Sequence, residues 1–309
     1  MIEVSIICST YNQEKYIRDA LESFVRQKTN FVFEVLVHDD ASTDGTVDII
    51  KEYEHKYPEI IKPIYQEKNQ YSQKISIIKT YQLPRAQGKY IAICEGDDYW
   101  IDDYKLQKQY DALESHPNIN ICTCRIKQIL GDKFKEDIAP SEKDIIFTPE
   151  EVILGGGGFV GTNSIMLRKK EFMENILYQK VMMLDYFMQI IGSIPGGMLY
   201  LNECMGIYRL SAVGSWTVRM NNEPESKIRH LQKVIENLQL LDKETCKRYS
   251  EAINRHIKEI EIVILMSQNN YNQILCDDFK NIYSDFSMKK KLKIRMKSLL
   301  QVVKDILLK

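Results

Sequence analysis

The feature that most constrains the fold of this chain is a hydrophobic segment that runs directly into acidic residues. Residues 90–94 are hydrophobic, and Glu95, Asp97 and Asp98 follow within four positions. The hydrophobic run predicts a buried strand. Carboxylates at the end of such a strand repel one another and lose hydration, so a positive charge is needed nearby. The pattern favours a Mg²⁺ or Mn²⁺ site over its alternative, a solvated acidic turn.

Two further strands are predicted upstream, with a helix between them. Residues 4–9 form the first strand, and residues 33–37 form the next, which delivers Asp39 and Asp40 into a turn. A cap residue among positions 42–44 can begin the helix that follows. Between the two strands, hydrophobic residues recur at helical spacing, namely Ile17, Ala20, Leu21, Phe24 and Val25.

This alternation of strands and helices predicts an α/β fold, a doubly wound and mainly parallel sheet with helices on both faces. The carboxyl ends of parallel strands share one edge, and ligands bind where the strand order reverses. If the first strand lies between the other two, five side chains converge on that switch point: Tyr11, Asp39, Asp40, Asp97 and Asp98. A nucleotide is the ligand expected in such a crevice.

Several segments resemble the family 2 glycosyltransferases, which have the GT-A fold of nucleotide-diphospho-sugar transferases. The specific matches are the opening strand and loop, an Asp-Asp-x-Ser-Thr-Asp-Gly-Thr element, and the strand with the metal motif, at 4–12, 38–46 and 88–100. Weaker matches follow in the family's order at 157–168, 184–186, 207–209 and 214–216. Together these segments cover roughly the first two thirds of the chain.

The resemblance implies a role for each matching residue at the nucleotide. Thr10, Tyr11 and Asn12 would shape the pocket for the base, with Tyr11 nearest to it. Asp40, or else Asp39, would accept a hydrogen bond from the base. These residues are the candidate donor-binding set.

The resemblance also implies a metal site. Asp97 would lie near the ribose, and Asp98 would bind a Mn²⁺ or Mg²⁺ ion that bridges the diphosphate. Asp97 and Glu95 are the further candidate metal ligands. Glu95 stands where the family more often has aspartate, and both residue types supply oxygen ligands.

Asp185 would be the general base. A bound cation stabilises the leaving diphosphate, while a carboxylate on the opposite face of the sugar takes the proton of the attacking hydroxyl, which implies inversion. Residues 182–187 can also be read as the start of a helix with Asp185 as its cap. Leu184 replaces an acidic neighbour of the base, and Ser211 stands where many relatives have histidine.

These arguments predict an inverting, metal-dependent glycosyltransferase of the hexosyltransferase type. The donor would be a nucleotide-diphosphate sugar, by resemblance a UDP-sugar, and the acceptor a glycan or lipid-linked oligosaccharide in surface polysaccharide synthesis. A donor-binding scaffold without turnover is one alternative. A sugar-phosphate nucleotidyltransferase is another, but it usually needs a glycine-rich, basic loop where this chain has Thr-Tyr-Asn-Gln-Glu at 10–14.

Length and composition predict a catalytic domain over residues 1–216 and a helical extension over 217–309, with helices at 227–241 and 244–266. Seven cysteines without a Cys-x-x-Cys pair argue against a disulfide framework and structural zinc. The first strand begins almost at once, and no hydrophobic run reaches about 18 residues. We therefore expect neither a signal peptide nor a transmembrane helix, and a cytoplasmic location.

The end of the chain is basic. Residues 288–309 carry eight lysine or arginine residues against one aspartate, and hydrophobic residues recur among them at helical spacing. This pattern is typical of an amphipathic helix at an anionic membrane surface, although a docked helix with solvated lysines gives the same pattern. The net charge of −1 leaves the remainder acidic, so nucleic acid is not an expected partner.

Overall fold

The computed structural model describes residues 1–182, 185–210, 212 and 223–307. Leu184, Ser211 and residues 214–216, all named above, lie outside the described residues. The chain separates into two compact units, Met1–Val218 and Arg219–Lys309.

The first unit alternates strands and helices. Its strands are β1 (Ile2–Thr10), β2 (Val32–Asp39), β3 (Ile61–Tyr65), β4 (Tyr90–Ile93), β5 (Tyr99–Trp100), β6 (Ile121–Leu130), β7 (Lys133–Phe134), β8 (Ile145–Phe147), β9 (Met166–Arg168) and β10 (Met198–Arg209). Its α-helices are α1 (Ile17–Val25), α2 (Thr46–Lys56), α3 (Leu83–Arg85), α4 (Lys105–Ser115), α5 (Pro149–Gly155), α6 (Lys169–Glu174), α7 (Ile176–Lys180) and α8 (Asp185–Ser193). Tighter 3-10 turns occur at Tyr71–Gln73 and Thr162–Ser164, and a π-helical turn at Ile78–Gln82.

The strands form one sheet in the order β3-β2-β1-β4-β9-β6-β10-β5. Strand β1 pairs in parallel with β2 on one side and with β4 on the other, so the condition for convergence at the switch point is met. Every residue of β4 is buried, as is the central run of β1. Such unbroken burial is typical of parallel strands that are covered on both faces. The predicted α/β class is confirmed.

Strand β9 is inserted antiparallel between β4 and β6. Because direction reverses once on each side of β9, strand β6 and its parallel neighbour β10 run in the same direction as β1. The ends of β1, β2, β4, β6 and β10 therefore lie at one edge of the sheet, the carboxyl edge. Antiparallel pairings join two or three residues each, whereas parallel pairings join four to nine, so the sheet is mainly parallel.

The core of the first unit lies between this sheet and its helices. Helix α1 buries four of the five residues that its spacing singles out, and the fifth, Val25, is half-buried against the same core. Phe24 meets the indole of Trp100 edge to face, with the ring centroids 5.0 Å apart. Burying a large hydrophobic side chain stabilises a fold by about 1.5–3 kcal/mol, so α1 is held chiefly by this face.

The second unit is helical. It contains α9 (Pro224–Glu244), α10 (Ser250–Ser267), α11 (Tyr271–Ile274), α12 (Lys280–Asp285) and α13 (Met288–Leu307). A separate core joins Ile262, Leu265, Tyr271, Ile274, Phe279, Ile282 and Ile294. The predicted helix at 244–266 begins later than expected, because Cys246 and Lys247 have φ angles of 51° and 62°, which an α-helix does not admit. Among the helices of the described residues, none has both the length and the hydrophobicity needed to cross a membrane.

Candidate active site

The loop after β1 is fixed to the loop after β2 by hydrogen bonds. Asn12 has a φ of 52°, a left-handed conformation that asparagine adopts more readily than most residues. Its main-chain N–H donates to Ser42 Oγ at 2.9 Å, and its Oδ1 accepts from the Thr43 N–H at 2.8 Å. The Gln13 N–H donates to Thr46 Oγ1 at 2.8 Å. These contacts join the two loops into one unit, the loop clasp.

Thr10 and Tyr11 precede the loop clasp and differ in exposure. Thr10 is buried at the end of β1, and its Oγ1 has no hydrogen-bond partner within the described chain. Tyr11 is 44% exposed. Its ring is therefore accessible to a ligand at the carboxyl edge, whereas Thr10 lines the interior of the loop.

Asp39 and Asp40 are buried at the end of β2, and both carboxylates already accept hydrogen bonds. Asp39 accepts from the Ser42 N–H at 3.0 Å and from the Ser42 hydroxyl at 2.5 Å. Asp40 accepts from the main-chain N–H groups of Gln70 at 2.6 Å and Tyr71 at 3.0 Å. Carboxylate oxygens can each accept a further hydrogen bond, so a contact with the base stays a prediction for either residue.

His38 lies beside Asp40 in the interior. Its Nε2 is 3.8 Å from Asp40 Oδ1, and its ring centroid is 5.0 Å from that of Tyr81. Burial lowers the pKa of His38 to about 4, although the Asp40 charge acts in the opposite direction. At neutral pH the imidazole is therefore uncharged.

The metal motif after β4 packs directly against the loop after β1. The Gly96 N–H donates to the Ser9 carbonyl at 3.0 Å. A Cβ atom on Gly96 would lie 2.5 Å from Gln13 Oε1 and 2.9 Å from Thr10 Cβ, so only glycine fits there. The structure thus brings the ends of β1 and β4 together, as expected from the strand order.

Asp98 is buried and is held by the end of β10. Its Oδ1 accepts from the main-chain N–H of Arg209 at 2.8 Å. The Arg209 guanidinium donates to the Asp97 carbonyl at 2.7 Å, forms an ion pair with Asp19, and has its Cζ 4.5 Å from the ring centroid of Tyr99. Asp98 Oδ2, in contrast, has no hydrogen-bond partner among the residues that the structure describes.

Asp185 is the first residue of α8 and is half-buried. The Thr162 hydroxyl donates to its Oδ2 at 2.5 Å. The negative charge of Asp185 raises the pKa values of Glu95 and Asp98, because it lies close to both. Asp185 therefore begins a helix and also joins the acidic cluster, so the two interpretations of the sequence are compatible.

The four carboxylates of this cluster disfavour one another's charge. Burial first, and then the Asp97 charge, raise the pKa of Asp98 well above its usual value, against the opposing effect of Arg209. Desolvation, followed by the charges of Asp185 and Asp97, raises the pKa of Glu95, and solvent moderates this shift because the Glu95 residue is exposed. Burial also raises the pKa values of Asp97 and Asp185. A bound cation would favour the charged carboxylates and would therefore lower these pKa values.

The donor set fits a cation that is completed by a substrate. Across the described ranges, no group of three or more His, Cys, Asp or Glu side chains is arranged to hold a metal ion. Mg²⁺ and Mn²⁺ sites often use only one or two carboxylates and take their other ligands from water and phosphates. The buried, unpartnered Oδ2 of Asp98 fits such a site.

Two residues of the site have roles that the sequence analysis did not assign. Arg209 lies in a segment that resembles the family, but nothing in the sequence indicates that its main chain orients Asp98. Thr162 follows the glycine cluster at 155–158 and holds Asp185, a contact across 23 positions that no periodicity indicates.

The chain matches the sequence model described as Glycosyl transferase family 2 over residues 5–177, more than half of its length. The chain belongs to glycosyl transferase family 2. An uncharacterized protein of Mycobacterium tuberculosis is 36% identical to this family 2 chain over 215 residues, which are 69% of the chain and 60% of that protein. The putative teichuronic acid biosynthesis glycosyltransferase TuaG of Bacillus subtilis is 30% identical over 214 residues, 67% of the chain and 79% of TuaG. The chain thus spans 60% of the length of its mycobacterial relative.

Solved structures share the fold of this family 2 chain. TarS 1-349 of S. aureus in complex with UDP-GlcNAc has a TM-score of 0.64 and 17% identity, over 92% of this chain and 80% of that one. The mannosyltransferase PcManGT of Pyrobaculum calidifontis, in complex with GDP-Man and Mn²⁺, has a TM-score of 0.59 and 13% identity, over 97% and 80%. At such identities the likeness concerns the fold, and it confirms the predicted GT-A class.

Proposed function

We propose that this chain is an inverting, metal-dependent glycosyltransferase. It transfers a sugar from a UDP-sugar to a hydroxyl of a glycan or lipid-linked acceptor in surface polysaccharide synthesis. The observation that carries the proposal is the buried, unpartnered Oδ2 of Asp98 at the carboxyl edge, beside three further carboxylates. Membership of family 2 supports it, as do the UDP-GlcNAc and the GDP-Man with Mn²⁺ that TarS and PcManGT bind.

The nucleoside of the donor lies against the ends of β1 and β2. The exposed ring of Tyr11 contacts the base, and Thr10 and Asn12 shape the pocket around it. Asp39 or Asp40 accepts a hydrogen bond from the base through a remaining lone pair. The loop clasp supports this assignment, because it fixes both loops before the donor binds and so reduces the entropy lost on binding.

The diphosphate lies against the metal motif. Asp98 would hold the cation through Oδ2, and Asp97, near the ribose, or Glu95, at the solvent side, would supply a second carboxylate ligand. When bound, Mn²⁺ or Mg²⁺ acts as a Lewis acid that stabilises the charge developing on the leaving diphosphate. Arg209 keeps Asp98 oriented through its main-chain N–H.

Asp185 acts as the general base. Its carboxylate accepts the proton of the acceptor hydroxyl while that oxygen attacks the anomeric carbon from the face opposite the diphosphate. Burial raises the pKa of Asp185, which brings it closer to working pH and makes the carboxylate a stronger base. The hydrogen bond from Thr162 opposes this shift and fixes one oxygen, so that the other can face the acceptor.

The two alternatives have less support. A nucleotidyltransferase would need a glycine-rich, basic loop after β1, and this chain instead has a loop fixed by Asn12 and Gln13 to the loop after β2. A scaffold without turnover would not need a carboxylate in the position of Asp185. The following experiment separates these possibilities.

The test combines donor binding with turnover in the Asp185→Asn variant. Asparagine keeps an oxygen that can accept the Thr162 hydrogen bond, so the melting temperature should rise with UDP-sugar and Mn²⁺ as in the wild type. Release of UDP from UDP-sugars, with a mixture of oligosaccharide acceptors present, should fall by about 10²–10⁴-fold. Asp111→Asn, on the exposed side of α4, is the control. Donor binding without any wild-type release would support the scaffold instead.

A lipid surface is the second partner that we propose, through α13. Ile294 and Ser298 are buried on one face of this helix. Hydrophobic side chains on another face are 56–78% exposed, namely Met288, Leu292, Met296, Leu299 and Leu300. Exposed Lys289, Lys293 and Arg295 flank this stripe. Hydrophobic contact with acyl chains and attraction to anionic headgroups would act together there.

Sedimentation with vesicles tests the membrane proposal. The wild type should bind vesicles that contain phosphatidylglycerol and should bind pure phosphatidylcholine weakly, because each lysine or arginine near an anionic surface contributes about 1 kcal/mol. Leu292→Gln combined with Leu299→Gln should remove binding. Leu275→Gln, at an exposed leucine outside α13, is the matched control. Equal sedimentation of all three proteins would refute the proposal.

A further inference from the structure

A pocket of about 360 Å³ opens beside the glycine cluster of the first unit. On one side it is lined by the end of β6 and the segment after β7, and on the other by the loop after α5. The residues that matter for its chemistry are Gln128, Glu136, Asp137, Gly155, Gly158 and Phe159. None of them belongs to the donor-site residues assigned above.

This pocket lies at the carboxyl edge, on the side of Asp185. Gln128 is near the end of β6 and pairs in register with Tyr208, the neighbour of Arg209. The glycine cluster at 155–158 also lies against α8. The Gln189 amide donates to the Gly157 carbonyl at 3.4 Å, and a Cβ on Gly157 would lie 3.5 Å from Tyr186 Cβ. The pocket therefore flanks the helix that Asp185 begins.

The fold requires glycine at two positions beside the pocket, but not at Gly157 or at Gly158, and of these last two only Gly158 lines the pocket. A Cβ on Gly155 would lie 2.3 Å from the Phe159 ring, and Gly156 has a φ of 68°, so both positions require glycine. At Gly158, no atom of the described residues lies within 4 Å of a Cβ position, and its φ is outside the left-handed region. A side chain there would meet no atom of the described residues, and it would extend from a residue that lines the pocket.

The lining has the chemistry of a carbohydrate site. The ring of Phe159 is held edge to face against Phe147, with centroids 4.8 Å apart, and is half-buried, so it offers a fixed hydrophobic surface. Gln128 and Glu136 offer an amide and a carboxylate for hydroxyl groups. A hydrophobic surface with a few convergent polar groups is what small-ligand sites require.

The charge of the lining selects against anions. Its two charged residues, Glu136 and Asp137, are both acidic. The nearby guanidinium of Arg125 is engaged by Asp137 at 2.8 Å and by Glu142 at 3.7 Å. A phosphate or uronate would therefore meet net negative charge, which disfavours its binding.

We propose that this pocket binds an uncharged sugar ring of the acceptor glycan. The proposal rests on the proposed glycosyltransferase function and adds the class of acceptor to it. The bound sugar ring packs on Phe159 over the space that Gly158 leaves open, and its hydroxyls bind Gln128 and Glu136. The adjoining part of the acceptor then extends toward Asp185.

Saturation-transfer NMR on the full chain tests the pocket with defined probes. The probes are the methyl glycosides of glucose, galactose and N-acetylglucosamine, and methyl glucuronoside as the anionic comparison. At least one neutral glycoside should bind the wild type, and the glucuronoside should bind more weakly. Gly158→Ala should weaken binding by about tenfold, the effect of one misplaced methyl group in a pocket. Gly157→Ala adds the same methyl group to the neighbouring residue but outside the pocket, and should leave binding unchanged.

Glu136→Gln tests the charge argument separately. It should strengthen binding of the glucuronoside by more than it changes binding of the neutral glycoside, because glutamine loses the charge but keeps an oxygen that can accept from a hydroxyl. The proposal is overturned if no neutral glycoside binds, if Gly158→Ala and Gly157→Ala behave alike, or if the glucuronoside binds best to the wild type. Metal-dependent UDP binding, measured on the same samples, separates this failure from failure of the glycosyltransferase function.

Discussion

At the single residue Asp98, the requirements of cation binding and of folding stability oppose each other. Its carboxylate is buried next to Asp97, and one of its oxygens has no partner within the described residues. A folded-state pKa raised above the unfolded value means that this group favours folding at low pH and loses that contribution as the pH rises through the folded pKa. Without a cation, the protein therefore loses stability as this carboxyl group gives up its proton.

Asp98→Asn should separate the two effects. Without metal and at neutral pH, the variant should be more stable than the wild type, because it removes an ionisable group whose charged form burial and Asp97 disfavour. Its Oδ1 can still accept the Arg209 N–H. The increase in melting temperature with UDP and Mn²⁺ should be lost. Calorimetry with and without ligands measures both effects, and a destabilised variant that still responds to UDP and Mn²⁺ would contradict the assignment.

The contribution of His38 to stability depends on pH in the opposite direction from that of Asp98. Its folded-state pKa of about 4 is below the ordinary value of 6.5, so its contribution to stability is present above pH 6.5 and is lost as the pH falls toward 4. The charged and titratable groups that act on it are Asp40, Arg85 and Tyr81. At pH 5 the loss should be about 2 kcal/mol relative to pH 7.

Urea unfolding at pH 7 and pH 5 measures this loss. His38→Phe keeps a ring against Tyr81 and should lack the loss that protonation of His38 causes. His55→Gln, on the exposed face of α2, should keep it. Equal pH dependence in the wild type and His38→Phe would exclude His38 as its source.

The loop clasp shows how two elements prepare a site together. Asn12 contributes both a left-handed backbone and a side-chain hydrogen bond across 31 positions. Asn12→Gly keeps the backbone and should cost about 1 kcal/mol for the lost hydrogen bond. Asn12→Ala loses both and should cost about 2 kcal/mol. Urea unfolding ranks the variants, and equal losses would show that the backbone conformation adds nothing.

Helix α13 offers a matched pair of substitutions. Ile294 is buried in the core of the second unit, whereas Leu292, two positions earlier, is 60% exposed. Ile294→Ala should therefore cost about 2–5 kcal/mol, and Leu292→Ala no more than about 0.5 kcal/mol. Thermal unfolding in the absence of lipid measures both. Similar losses would mean that the face with Leu292 is also packed, which would contradict the membrane proposal.

The elements that the sequence predicts correctly are those with a strong local signal. The parallel direction of β1, β2 and β4 follows from the alternation of strands and helices, their order agrees with the usual doubly wound arrangement, and α1 follows from its spacing. Strand β9 was not predicted as an antiparallel insertion, because three buried residues carry no period that distinguishes direction. The late start of α10 depends on two positive φ angles at non-glycine residues, which sequence patterns do not reveal.

The candidate site also has parts that the sequence predicts and parts that it does not. Its carboxylates were predictable because acidic residues after hydrophobic strands are unusual and costly. The contacts that orient them were not, since Arg209 reaches Asp98 across 111 positions and Thr162 reaches Asp185 across 23. Those contacts depend on strand pairing and on loop geometry rather than on residues that are neighbours in the sequence.

At the scale of the whole molecule, each unit has its own core, and the candidate donor site is confined to the first. Hydrogen exchange on the full chain should therefore slow with UDP and Mn²⁺ in the loops that follow β1, β2 and β4. Exchange within α10 should stay unchanged, because no candidate donor residue belongs to the second unit. Protection of α10 as strong as that of the loops would place part of the donor site in the second unit.

Selection acts differently on a contact made by the main chain than on one made by a side chain. The group that orients Asp98 is the N–H of residue 209, and every encoded amino acid except proline carries that donor. A substitution at this position can remove the guanidinium and its contacts to Asp97 and Asp19. The main-chain N–H would still hold the Asp98 carboxylate in the same orientation. Lineages can therefore exchange this arginine without first losing the site.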